Sequence, residues 1–121
     1  MESKKIEDLE IYKLSMDLSN ICRGLYQKWD YSIKKITGDQ FMRSIDSIGA
    51  NISEGFGRFH YMDSVRFYYN ARGSLFESKY RVKLLYERKT ITKEDFIKIE
   101  KTLTTLGVKL NNFINYIKGK K

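Results

Sequence analysis

Apolar residues recur along this chain at steps of three and four, which stacks them on single faces of helices. In the first segment Ile11, Leu14, Leu18, Ile21 and Leu25 form such a stripe. Cys22, Tyr26 and Trp29 flank and widen it, and a helix is expected over about 8–29. Asp30-Tyr31-Ser32 opens a linker of mixed character that reaches Thr37. Thr37 and Gln40 have the spacing of a capping box, so a second helix is expected over 38–57. Its stripe is Phe41, Ile45, Ile48 and Ile52. A third helix, over 63–89 with Asp63 as its N-cap, turns Tyr68, Ala71, Leu75, Ser78, Val82 and Leu85 inward. The fourth, over 93–117, has the clearest start signal: Thr92 caps, Asp95 sits at the third position, and Ile91 with Phe96 forms a hydrophobic staple. Phe96, Ile99, Leu103, Leu106, Leu110, Phe113 and Ile117 follow at near-heptad spacing. Linkers this short join antiparallel neighbours. The expected fold is all-α, one up-down-up-down antiparallel four-helix bundle spanning 1–121.

Composition narrows the class further. Hydrophobic residues make up 41% and charged residues 31%, a globular balance, and the absence of proline favours continuous helices. A lone cysteine, Cys22, cannot form an internal disulfide. The N-terminus has no apolar signal core, and nowhere do 18 apolar residues run together. A reducing cytoplasm, with no membrane partner, is the expected setting.

Charge changes the picture more. Lys plus Arg number 23 against 15 Asp plus Glu, a net +8. Residues 1–61 carry nine basic and nine acidic groups, so the whole excess falls in residues 62–121. A surface of this sign suits nucleic acid, with Arg66, Arg72, Lys79, Arg81, Lys83, Arg88 and Lys89 as candidate phosphate contacts. Part of that cluster has a simpler cause, since cations near a helix C-terminus complement its dipole.

The second helix carries small residues at Gly49, Ser53 and Gly57, although a helix-interior glycine costs about 1 kcal/mol relative to alanine. Arg43, Ser47, Asn51, Glu54 and Arg58 align on another side, with Glu54 and Arg58 placed for an ion pair. Catalytic chemistry finds little material. His60 is the only histidine, too few for a di-metal carboxylate bundle, and any nucleophilic relay would have to pass through it. Gly55-Phe56-Gly57 ends a helix rather than opening one, unlike a phosphate-binding loop. No catalytic residue, metal or cofactor is assigned, although Asp46, Glu54 and Glu77 are the carboxylates a metal would use.

Ser47-Ile48-Gly49-Ala50-Asn51-Ile52-Ser53-Glu54-Gly55-Phe56-Gly57-Arg58 and Arg66-Phe67-Tyr68-Tyr69-Asn70-Ala71-Arg72-Gly73-Ser74-Leu75-Phe76-Glu77 resemble a known family. It is that of the four-helix-bundle proteins encoded in intervening sequences of bacterial 23S ribosomal RNA genes. Asp8-Leu9-Glu10-Ile11-Tyr12-Lys13, with Gln40 and Arg43, extends the likeness over essentially the whole chain. Gly49 stands where the family usually has proline, and Lys79 where many members carry a second glutamate. The resemblance implies a ring, typically a homopentamer, without established enzymatic activity. A related branch consists of accessory proteins of diversity-generating retroelements, which bind a reverse transcriptase and nucleic acid. The likeness also singles out Ser47, Asn51, Glu54, Gly55, Gly57, Arg58, Gly73 and Glu77. For these the expected role is packing: Gly55, Gly57 and Gly73 allow close helix contact, while Asn51, Glu54, Arg58 and Arg72 satisfy one another in a buried or subunit-facing network.

Three readings stay open. The leading one is a non-enzymatic, homo-oligomeric scaffold that binds RNA or DNA. The second is a protein-interaction module using tyrosines off the core stripes, Tyr61, Tyr69 and Tyr80. The third is a metal-dependent enzyme working at Glu54 and Glu77.

Overall fold

Local signals account for most of the element boundaries. The computed structural model describes residues 5–58 and 60–119. Expectations that fall on residues 1–4, on the side chain of Tyr61 and on 120–121 lie outside the described residues. A 3-10 turn, Ile6–Asp8, leads into α1, Glu10–Tyr26. The other long helices are α2, Asp39–Phe56, α3, Tyr61–Glu87, and α4, Lys93–Lys118. They pack antiparallel to their chain neighbours, with α4 closing against α1, and no strand occurs among the described residues.

Thr92 caps α4 as its sequence predicts: the hydroxyl accepts the Asp95 amide at 3.1 Å. Two other expected caps do not form. His60, not Asp63, precedes α3, and Asp63 lies in its first turn. The capping box of Thr37 and Gln40 is absent because the backbone is already helical there, with Gly38 at φ −65° and ψ −46°. The real cap stands earlier. Asp30 accepts the Ile33 amide at 3.1 Å and starts a helical turn, Tyr31–Ile33, that widens into a π-turn, Lys34–Gly38, and feeds α2 without a break. A π-turn inserts one residue per turn, which re-aims the chain between α1 and α2. Gly38 makes this possible: a Cβ there would lie 3.1 Å from the Ile33 carbonyl and 3.2 Å from the rings of Trp29 and Tyr26.

The core runs the length of the bundle. The expected stripes of α2 and α3 are fully buried, and so are Ile99, Leu103, Leu106 and Leu110 of α4. Each buried Val, Leu, Ile or Phe among them contributes roughly 1.5–3 kcal/mol by leaving water. In α1 the stripe is rotated from the expected one. Ile11, Ser15, Leu18 and Cys22 point inward, while Leu14, Ile21 and Leu25 are only half-buried. Cys22 is therefore a central core residue rather than a flanking one, and burial pushes its thiol up to about 12.

The α3–α4 turn ends on a left-handed residue, Lys89, at φ 62°. The Thr90 amide reaches back to the Leu85 carbonyl at 2.8 Å and the Lys89 amide to Tyr86 at 3.0 Å. This is a Schellman closure with lysine in the place glycine usually takes.

Candidate functional site

The residues singled out by sequence gather on α2 and α3, and the structure sorts them into three environments. The first is a polar seam between the two helices, buried at Ser44 and Ser78 and half-buried at Ser47, Asn51 and Ser74. Ser74 donates to Ser47 at 2.8 Å, Ser78 lies 3.0 Å from Ser44, and Ser44 donates to the Phe41 carbonyl at 2.7 Å. Asn51 donates to both the carbonyl and the hydroxyl of Ser47, at 2.9 and 3.1 Å. Small hydroxyls that satisfy one another let two backbones approach without leaving a costly unpaired group. Ser44 and Ser74 do not stand out in the sequence. Their signal was a serine at each of two facing stripes, visible only once the helices are paired.

Gly55 belongs to this close approach. A Cβ there would lie 2.7 Å from the buried ring of Tyr68, which itself meets Phe113 edge-on at 5.1 Å. Gly57 and Gly73 do not share that role within the chain. Added atoms at Gly57 would touch only its own preceding turn, and at Gly73 nothing lies within 4 Å. The expected network of Asn51, Glu54, Arg58 and Arg72 also divides. Glu54 and Arg58 form an exposed pair at 2.7 Å, whereas Arg72 reaches across to Asn111 of α4 at 3.0 Å.

The second environment is the pair of flanks of α3, where many candidate cations are already engaged. Arg81 pairs with Glu77 at 2.9 Å and also donates to Gln40. Lys83 pairs with Glu87 at 3.5 Å, and Lys79 donates to Thr104 with Glu100 3.9 Å away. Arg66, Arg88 and Lys89 have no carboxylate partner among the described residues. Arg66 lies 4.9 Å from the Phe67 ring centre, with Arg58 at 4.6 Å from the same ring.

The third environment is the outward face of α3. Met62, Arg66, Tyr69, Gly73, Phe76 and Tyr80 follow one another at 4-3-4-3-4 spacing, a second seam opposite the core stripe. Met62 is 75% exposed, and Phe76 and Tyr80 are each 61% exposed. Tyr69 is held in place by Lys118, which donates to its hydroxyl at 3.1 Å, and by Arg72 over its ring at 4.7 Å. Of the apolar members of this seam only the tyrosines stand out in the sequence, because Met62 and Phe76 lie one heptad to either side of Tyr69 in a register masked by the stronger core pattern.

Carboxylates and the nucleophile are dispersed. Glu54 and Glu77 each hold an arginine, and Asp46 accepts from Ser19. No group of three or more His, Cys, Asp or Glu among the described residues could hold a metal ion. Cys22 lies near the end of α1 and His60 before α3, at opposite ends of the antiparallel bundle. No described helix is long and apolar enough to cross a membrane.

These features define a small all-α bundle with a satisfied polar seam inside and an apolar seam left open outside. The chain belongs to the 23S rRNA-intervening sequence protein family, whose pattern it matches over residues 7–112. No curated protein matches it. Among solved structures, it is similar to a protein with unknown function from the S23 ribosomal protein family of Bacteroides thetaiotaomicron. The two are 24% identical, the likeness covers 87% of this chain and 95% of that one, and the TM-score is 0.79. At that identity the likeness bears on the fold alone.

Proposed function

We propose that this protein is a non-enzymatic, homo-oligomeric scaffold of the cytoplasm that binds nucleic acid through a basic surface. The observation that carries the proposal is the outward seam of α3. A helix apolar on two opposite faces has only one of them covered by its own chain, and the uncovered one centres on a glycine with no intrachain reason to be there. A second copy approaching at Gly73 supplies that reason, with Tyr69, Phe76 and Tyr80 as anchors. A ring of five is the assembly the family resemblance implies. It multiplies the net +8 of each chain about five-fold, which strengthens binding to a phosphate backbone.

Of the seven candidate phosphate contacts, Arg66, Arg88 and Lys89 have no carboxylate partner among the described residues; Arg72 is hydrogen-bonded to Asn111, and Lys79, Arg81 and Lys83 serve partly as intrachain partners. Sedimentation velocity at micromolar concentration is expected to give a single oligomer, and a monomer there would overturn the assembly. Mobility shifts with RNA and DNA over a salt series test the other half. Affinity is expected to fall steeply with salt. Absence of binding at low salt, with a partner protein retained after nuclease treatment, would favour the interaction-module reading instead.

A further inference from the structure

The connection between α1 and α2 gathers cations and aromatic rings that the segment-by-segment charge count conceals. Arg23, Lys28, Lys34 and Lys35 lie within thirteen residues, and none has a carboxylate within ion-pair distance among the described residues. The two acids between and beside them are occupied: Asp30 caps the turn and accepts from Ser32, and Asp39 accepts from Tyr26 at 2.6 Å. In place of carboxylates the cations face rings. Arg23 and Lys34 approach the Tyr26 ring at 5.9 and 5.5 Å, and Lys35 approaches Tyr31 at 5.6 Å. Tyr31 is 73% exposed. Lys28 also lines a groove of about 340 Å³ between α1 and α4, with Lys98 and the carboxylate of Asp95 on its far side. The antiparallel topology puts Arg88 and Lys89 at this same end of the bundle.

We infer that this end is a binding site for single-stranded nucleic acid, with Tyr31 stacking on a base and Arg23, Lys28, Lys34 and Lys35 contacting phosphates. The inference deepens the nucleic-acid half of the proposed function and rests on it. Duplexes present phosphates but no open base face, so cations alone would serve them. An exposed ring, with a lysine approaching it and the rest of its surface in solvent, adds a platform that only an unstacked base can use. The π-turn fixes the platform by carrying Lys34 and Lys35 back beside Tyr26 and Tyr31.

Fluorescence anisotropy of the full chain with a labelled twelve-nucleotide single strand and the matching duplex tests this. Tyr31→Ala is expected to weaken the single strand roughly tenfold and the duplex hardly at all, with Tyr31→Phe close to the parent. Lys34→Ala with Lys35→Ala should lower the single-strand salt slope by about 1.4. Unchanged single-strand affinity in Tyr31→Ala, or equal loss on both ligands, overturns the inference while leaving the proposed function standing. Competition by polyglutamate as effective as by a single strand of equal charge overturns it too, in favour of an acidic partner. A parent protein that binds neither nucleic acid removes both. Circular dichroism of each variant separates these outcomes from misfolding, and the exposure of Tyr31 makes a stable Tyr31→Ala chain the expected result.

Discussion

The two faces of α3 are built from similar residues and have opposite fates. The inner one carries Tyr68, Ala71, Leu75, Ser78, Val82 and Leu85, all closed against α2 and α4. The outer one carries Met62, Tyr69, Phe76 and Tyr80, all open to solvent in the single chain. Each face also meets a glycine. Gly55 of α2 lies under the Tyr68 ring and has no room for another atom, whereas Gly73 has nothing near it. Hydrophobicity alone therefore does not decide what a helix face does; the covering does. A glycine without a neighbour in its own chain is the more informative of the two, because its helix-weakening cost has no intrachain return.

Leu75→Ala and Phe76→Asp draw the sharpest contrast between adjacent residues. Leu75→Ala should destabilise the fold by about 2–5 kcal/mol in denaturant titration. Phe76→Asp should leave the chain helical and folded by circular dichroism while dissociating the oligomer in sedimentation velocity. Loss of fold in the second variant would mean that the outer face also belongs to the core.

The glycines give the next largest effect. Gly55→Ala is expected to cost about 1–3 kcal/mol by overpacking against Tyr68. Gly73→Ala should do the reverse in the isolated chain, stabilising it by about 1 kcal/mol, and should weaken self-association. Stabilisation with association intact would remove Gly73 from the interface.

The inner face also holds protons. Burial pushes Tyr68 up to about 12, as it does Cys22, so the folded chain retains protons that the unfolded chain releases from about pH 9 upward. Stability should be complete below pH 9 and fall steadily between pH 9 and pH 12. Tyr68→Phe should flatten the upper part of that decline, as measured by urea midpoints across the range.

The smallest effect belongs to the end of α3, where Lys89 holds a left-handed backbone. Lys89→Gly is expected to stabilise the chain by about 0.5–1 kcal/mol while weakening nucleic-acid binding. Tighter binding in that variant would show that Lys89 acts through the turn and not through its charge.

Much of the architecture is legible in the residue pattern, and the reason is local. Helical periodicity placed Phe41, Ile45, Ile48 and Ile52, the whole stripe of α3 and most of α4, because each stripe depends only on residues three and four apart. The Thr92 cap was legible on the same ground. The helical linker was not, since Asp30 and Thr37 offer competing starts and only the seating of Gly38 beneath Trp29 and Tyr26 chooses between them. Nor was the rotation of α1 that brings Cys22 and Ser15 inward in place of Leu14, Ile21 and Leu25. Pairing decided the polar seam, the reach of Arg72 to Asn111 and of Lys79 to Thr104, and the approach of Lys34 to the Tyr26 ring. Residue spacing was enough for four amphipathic helices and, in all but α1, for the side that each must bury. Only packing settled which glycine is crowded, which cations reach a neighbouring helix and which apolar face stays uncovered, because those depend on how far and at what rotation one helix stands from the next.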